Sequence, residues 1–251
     1  MKTIKLLVLG ILACPAVFAQ NFEMQSNLFL AAPTGMMSDN MNSAFGITLG
    51  ASRNFKSPFS LGIELNIGNY GHETSRQEYT FSDGSVTETD VNVGNEITNI
   101  FLTAKHFLRN GKKLNPYLSG KLGWSWFTTN LTIEDPADEF SCHPLESEIL
   151  SRDNTHSFSG GGGVRVDFNT VFQKTESGRL FFDFSFHALH GGIVKYMNVE
   201  IDPAQPTPHH DVMARFINTQ TQVVHEHHVG YVYSNVLSMV EYRLGVIYRM
   251  D

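Results

Sequence analysis

Between Asn115 and Thr128 the sequence reads NPYLSGKLGWSWFT, and apolar side chains recur at every second position. Leu118, Gly120, Leu122, Trp124 and Trp126 fall on one side; Tyr117, Ser119, Lys121, Gly123 and Ser125 fall on the other. An extended strand sends successive side chains to opposite faces, so this stretch is a strand with one greasy and one polar face. A lysine on the polar face, and two tryptophans ending the greasy one, favour lipid outside and a polar interior over an ordinary protein core.

The same alternation recurs along the chain. It predicts strands over about 22–31, 44–53 and 60–68, a fourth ending at Leu108, a fifth in the stretch above, and others over about 157–168, 180–189 and 240–248. Leu61, Ile63, Leu65 and Ile67 alternate with Gly62, Glu64, Asn66 and Gly68. Phe182, Phe184, Phe186 and Ala188 oppose Asp183, Ser185 and His187, while Val240, Tyr242, Leu244, Val246 and Tyr248 oppose Glu241, Arg243, Gly245 and Arg249. Eight strands, an even number, suit a closed antiparallel barrel.

The connections alternate in length. Residues 54–59 and 109–115 are short and 169–178 is moderate; 32–43, 71–95, 130–156 and 190–235 are long. Short turns at one end and long loops at the other make the outer-membrane pattern of periplasmic turns and extracellular loops. Asp83-Gly84, at the tip of the second long connection, predicts that the flanking strands run on past the membrane as a hairpin.

Met1–Ala19 reads as a secretory signal: Lys2 and Lys5 begin it, Leu6 to Ala13 is apolar, and Val17 and Ala19 suit cleavage before Gln20. The rival is a lipoprotein signal, since Ile11-Leu12-Ala13-Cys14 resembles a lipobox, but Pro15 is unusual after such a cysteine. Residues 20–251 would then be a single barrel domain with no periplasmic domain after it. The formal charge of −7 argues against a nucleic-acid partner. Cys14 and Cys142 are too few for a disulfide framework.

Alternation alone leaves open which face is inside, and a soluble barrel would bury the greasy one. The polar face, however, carries Glu23, Glu64, Asp167, Asp183 and Glu241 against Lys105, Lys121, Arg165 and Arg243. A nearly balanced set of this kind is what a paired interior network needs, and most of these residues lie near the short-turn end, where they would meet in one layer. The NPYLSGKLGW stretch, the GGGGVRVDF stretch from Gly160 and the aromatic-ended last strand resemble the outer-membrane β-barrel family of porin-like, small eight-stranded barrels. The resemblance spans 20–251. It implies an outer-membrane location, lipid and lipopolysaccharide as surroundings, and insertion by the barrel-assembly machinery. The family's last strand ends on an aromatic; here Arg249, Met250 and Asp251 follow Tyr248.

The charged interior either lines a pore or plugs a narrow lumen, and an eight-stranded barrel has room for little beyond side chains, which favours the plug. His209, His210, His225, His227 and His228 crowd the last long connection beside Asp211 and Glu226. Imidazole with carboxylate suits zinc or haem capture. Solvated loop histidines are the commoner case, and HEHH is not the metalloprotease spacing. The acidic connection holding Glu134, Asp135, Asp138, Glu139, Glu146, Glu148 and Asp153 is a solvated surface, or a place for divalent cations bridging lipopolysaccharide phosphates. His156, Ser157, Ser185 and His187 are available to a lipid A-modifying enzyme, but no spacing singles them out. The sequence therefore predicts a non-enzymatic barrel without a cofactor and with a structural, adhesive or permeability role. The alternatives are a loop-based binder of metal, haem, an extracellular ligand or a secretion partner, and a lipid A enzyme.

Overall fold

The computed structural model describes residues 21–55, 58–80, 86–108, 113–134, 146–168, 179–199, 211–217 and 224–250. The signal segment, Cys14, Cys142, His209 and His210 lie outside them. The strands are β1 (Phe22–Pro33), β2 (Ala44–Asn54), β3 (Phe59–Thr80), β4 (Val86–Phe107), β5 (Leu114–Glu134), β6 (Glu146–Asp167), β7 (Leu180–Asn198), β8 (Asp211–Ile217) and β9 (Val224–Met250). Each of β1 to β6 pairs antiparallel with the next, β7 pairs with β9, and β9 pairs with β1, closing an eight-stranded barrel. Strand β8 is an addition, paired with the upper part of β9.

Closure fixes the geometry. A path through paired residues runs from Asn115 by way of Arg165, Asp183, Gly245, Asn27, Thr48, Asn66 and Asn99 to Ser125. It returns to β5 ten residues further on, so the shear number is 10. With the usual strand spacings this gives a tilt of about 41° and a backbone radius of about 8 Å. Each residue then climbs about 2.5 Å along the axis, and about ten residues cross a 25 Å apolar band.

The outer surface carries that band. On β3, Phe59, Leu61, Ile63 and Ile67 are exposed; on β4 and β5, Ile100, Leu102, Leu118, Leu122 and Trp124 are exposed. Across β4, β5 and β6 the paired rows climb from Leu102–Leu122–Phe158 through Ile100–Trp124–His156 and Thr98–Trp126–Asn154 to Glu96–Thr128–Arg152. The gradation from aliphatic to aromatic to charged marks one edge of the bilayer. A soluble barrel exposing Leu102 at 62 % and Leu122 at 66 % would be without a physical reason. An antiparallel barrel that is closed, apolar outside and charged inside is an outer-membrane β-barrel, and the outer membrane is where this protein resides.

Strand lengths depart from the sequence reading. Strand β5 reaches Glu134, β6 begins at Glu146, β7 reaches Asn198 and β9 begins at Val224, so much of 130–156 and 190–235 is strand rather than loop. The outward alternation of large apolar residues ends at the bilayer edge, but the hydrogen-bond ladders continue beyond it. Beyond the band polarity reverses: Val91, Val93, Leu131, Ile133, Met197 and Val199 face inward and pack together. Water now bathes the outer wall, so apolar side chains move inside. The β3–β4 hairpin continues to Thr80 and Val86, as Asp83-Gly84 predicts.

Above Ser157 and Gly191 the β6–β7 ladder stops among the described residues. The wall there divides into β3–β4–β5–β6 and β7–β9–β8. Asp153 spans the division, its Oδ1 accepting the Asn154 N–H and its Oδ2 the Lys195 N–H, each at 2.8 Å. The Asn95 side-chain amide donates to the Met197 carbonyl at 3.0 Å and ties the two halves from within.

An arginine placed at the middle of the lipid band should report the bilayer directly. Leu102→Arg is expected to lower the unfolding free energy in lipid vesicles by about 2–4 kcal/mol, and Asn154→Arg, at the band's edge, by about 0–1 kcal/mol. Urea titration of the refolded protein measures both.

Candidate functional site in the barrel lumen

The nine charged residues assigned to the interior from sequence, Glu23, Glu64, Lys105, Lys121, Arg165, Asp167, Asp183, Glu241 and Arg243, are all buried. Each occupies an inward register position of its strand, because its neighbours carry the lipid-facing side chains. They do not form the single layer expected from sequence. The shear makes each interior row climb as it circles the barrel, and the charges divide into two groups.

The upper group centres on Glu64 of β3. Lys121 Nζ donates to Glu64 Oε2 at 2.7 Å, Arg243 Nη1 donates to the same oxygen at 2.8 Å, and Gln25 Nε2 donates to Oε1 at 2.7 Å. Lys105 Nζ lies 4.0 Å from Glu64 Oε1 and donates to Gln25 Oε1 at 2.6 Å. Arg243 also donates through Nη2 and Nε to Glu241 Oε2, at 2.6 and 3.1 Å. One carboxylate thus joins side chains from β1, β4, β5 and β9.

The lower group lies toward the short turns. Arg165 Nη1 donates to both oxygens of Glu23, at 2.7 and 2.8 Å, and Arg249 donates to Glu23 Oε1 at 2.8 and 3.0 Å. The Arg165 guanidinium sits 4.0 Å from the Phe107 ring centroid and 5.0 Å from that of Phe181. Tyr117 donates to Asp183 Oδ1 at 2.8 Å. Counting Arg249, five bases face five acids.

Sequence reasoning missed Gln25, Tyr117, His187 and Arg249 as members. Each sits on an inward parity, and that parity was the available signal. His187 falls on the polar face of its strand with Asp183 and Ser185. It lies buried in the lumen, 2.7 Å from Ser119 Oγ through Nε2.

The apolar layer above the charges was also missed. Phe29, Phe101, Phe127, Ile97, Leu189 and Met239 are buried and pack together. Phe29 lies between exposed Leu28 and Leu30, and Phe101 between exposed Ile100 and Leu102, so both rings point inward. Gly68 makes room for Phe29, since a Cβ there would fall 2.6 Å from the ring's Cζ. The β1–β2 connection closes this layer from above. It makes a 3-10 turn at Gly35–Met37, begun by a left-handed Gly35 at φ 63°, and buries Met37 and Met41 against the aromatic cluster.

Between the charged groups and this cap runs a neutral arc of Asn27, Thr48, Asn66 and Asn99 on four successive strands. Asn66 of this arc has neither side-chain atom bonded to another described residue.

No group of three or more metal-ligating side chains occurs among the described residues. His225, His227 and His228 stand on β9, opposite Phe216, Ala214 and Met213 of β8, rather than on a free loop. His156 and Ser157 are neighbours on opposite faces of β6, and Ser157 takes a 2.9 Å hydrogen bond from Ser125 inside the lumen. These residues do not assemble with Ser185 and His187 into one surface site.

Removing the central carboxylate should be costly. Glu64→Ala leaves Lys121 and Arg243 buried with less counter-charge and is expected to destabilise the barrel by about 3–5 kcal/mol. Glu64→Gln, which keeps the shape and some hydrogen bonds, should cost less. Urea unfolding in vesicles, followed by tryptophan fluorescence, ranks the two.

No protein-family model matches the sequence, and no curated protein matches it. Among solved structures, the chain is similar to Neisserial surface protein A (NspA), with 9 % identity over 92 % of this chain and 97 % of that one, at a TM-score of 0.47. It is similar also to Ail, the attachment invasion locus protein of Yersinia pestis, with 11 % identity over 90 % and 95 % and a TM-score of 0.37. The N-terminal β-barrel domain of Pseudomonas aeruginosa OprF gives 10 % identity over 91 % and 98 %, with a TM-score of 0.36. Likenesses at these scores do not bear on what this chain does.

Proposed function

We propose that this protein is a non-conducting, non-enzymatic outer-membrane barrel whose membrane part anchors a rigid β-structured head. The observation that carries the reading is the filled lumen: a salt-bridge network centred on Glu64, beneath a layer of Phe29, Phe101 and Phe127. A backbone radius of about 8 Å leaves no water path past such contents. Of structural, adhesive and permeability roles, the filled lumen supports the first two.

The head supports the same reading. Strands β3, β4 and β6 are 22 residues long and β9 is 27, where about ten suffice to cross the apolar band. Extending strands about 25 Å beyond the bilayer, and giving them their own apolar core, presents a fixed surface at a distance from the lipid. That is useful to a protein that meets a partner there. Among the described residues, neither metal or haem capture nor lipid A chemistry has a geometric observation in its favour.

Planar-bilayer conductance tests the reading. The refolded protein, its insertion verified by heat-modifiable migration, is expected to give no stable openings across the usual voltage range. Stable, voltage-tolerant openings would make the interior charges the lining of a water path and permeation the function.

A further inference from the structure

Where the lipid band ends on the wall made by β5, β6 and β7, apolar and cationic side chains stand together on the outer surface. Ile193 of β7 is 69 % exposed and pairs with the exposed Val236 of β9. Lys195, two residues higher on the same face, is exposed, as are Arg152 and His156 on neighbouring β6. Trp124 pairs with His156, and Trp126 with Asn154, so both indoles flank the same patch.

The acid between the two cations is occupied. Both Asp153 oxygens accept backbone N–H groups, those of Asn154 and Lys195. In doing so Asp153 holds β6 to β7 where their ladder has stopped, and it keeps the Arg152 and Lys195 positions on one wall. Among the described residues neither Arg152 nor Lys195 has an acidic side-chain partner.

We propose that this patch binds the phosphate-bearing headgroup of an anionic lipid in the leaflet at the long-connection end. Its acyl chain would lie against Ile193, Val236 and Phe158. Arginine offers phosphate a planar fork of donors, and lysine adds a compact charge. Indole rings favour the boundary between chains and headgroups. The patch thus supplies an apolar surface for the chain and, at the height of the headgroups, two cations for the phosphate. The site lies on the outer wall and does not depend on whether the lumen conducts.

Trp124 and Trp126 are the chain's two tryptophans, and both adjoin the site, so their fluorescence reads it directly. The probes are brominated-chain phosphatidylglycerol and brominated-chain phosphatidylcholine, each diluted into phosphatidylcholine vesicles holding the full-length refolded protein. Phosphatidylglycerol is expected to associate at least about fivefold more strongly than phosphatidylcholine, from the attraction of a basic residue near a lipid surface. R152Q/K195Q is expected to bring the ratio to about one, while R152K/K195R, which keeps both charges, retains it. A ratio near one in the unaltered protein would overturn the proposal, and so would a preference that survives R152Q/K195Q. Loss of the preference on adding millimolar inorganic phosphate at constant ionic strength would also overturn it, because the patch would then be a site for free anions.

Discussion

In hydrocarbon no backbone N–H or C=O can be left without a partner, and the pairing of β1 with β9 is what satisfies that demand for the whole wall. From Phe22 opposite Met250 to Pro33 opposite Met239, this one ladder joins the first strand to the last. Once it closes with eight strands and a shear of 10, tilt and radius are no longer free. Side chains of alternating parity are committed to lipid or to a space about 16 Å across between backbones. The choice of residues follows from that division.

The narrow interior explains the buried charges. An unpaired charge in such a space would be costly, and the structure holds none of its central ions alone: Glu64 meets Lys121 and Arg243, and Glu23 meets Arg165 and Arg249. The pairs join strands distant in sequence, Arg165 with Glu23 and Arg243 with Glu64. They therefore set which strands face one another across the lumen as well as filling it. Above them the aromatic layer and the inward-folded Met37 and Met41 replace charge by close packing. Higher still, water outside the wall reverses the pattern, and Val91, Leu131 and Met197 form a core of the ordinary soluble kind.

The barrel was legible in the sequence because its constraint has a period of two. Parity put Leu61, Ile63 and Ile67 on one face and Glu64 on the other, and the balanced charges of the polar face assigned the first to lipid and the second to the lumen. Parity also contained Phe29 and Phe101, but an inward aromatic between two outward aliphatics reads as part of a continuous apolar run, so the upper layer stayed hidden. Strand ends failed for a related reason. Large apolar residues stop recurring outside at the bilayer edge, while hydrogen bonding, which has no side-chain signature, continues for about ten residues. The pairings themselves, such as Lys121 and Arg243 meeting on one carboxylate, depend on the shear. Shear is a property of the closed barrel and of no single segment.

Cysteine accessibility tests most directly whether the lumen is sealed from water at both ends. In a Cys142→Ser background, Ser125→Cys and Ser157→Cys would each place a thiol at a buried, inward position. A charged, membrane-impermeant thiosulfonate is expected to leave both unmodified in the folded, inserted protein and to label both fully after denaturation. Prompt labelling of either in the folded protein would show a water path through the barrel and contradict the account.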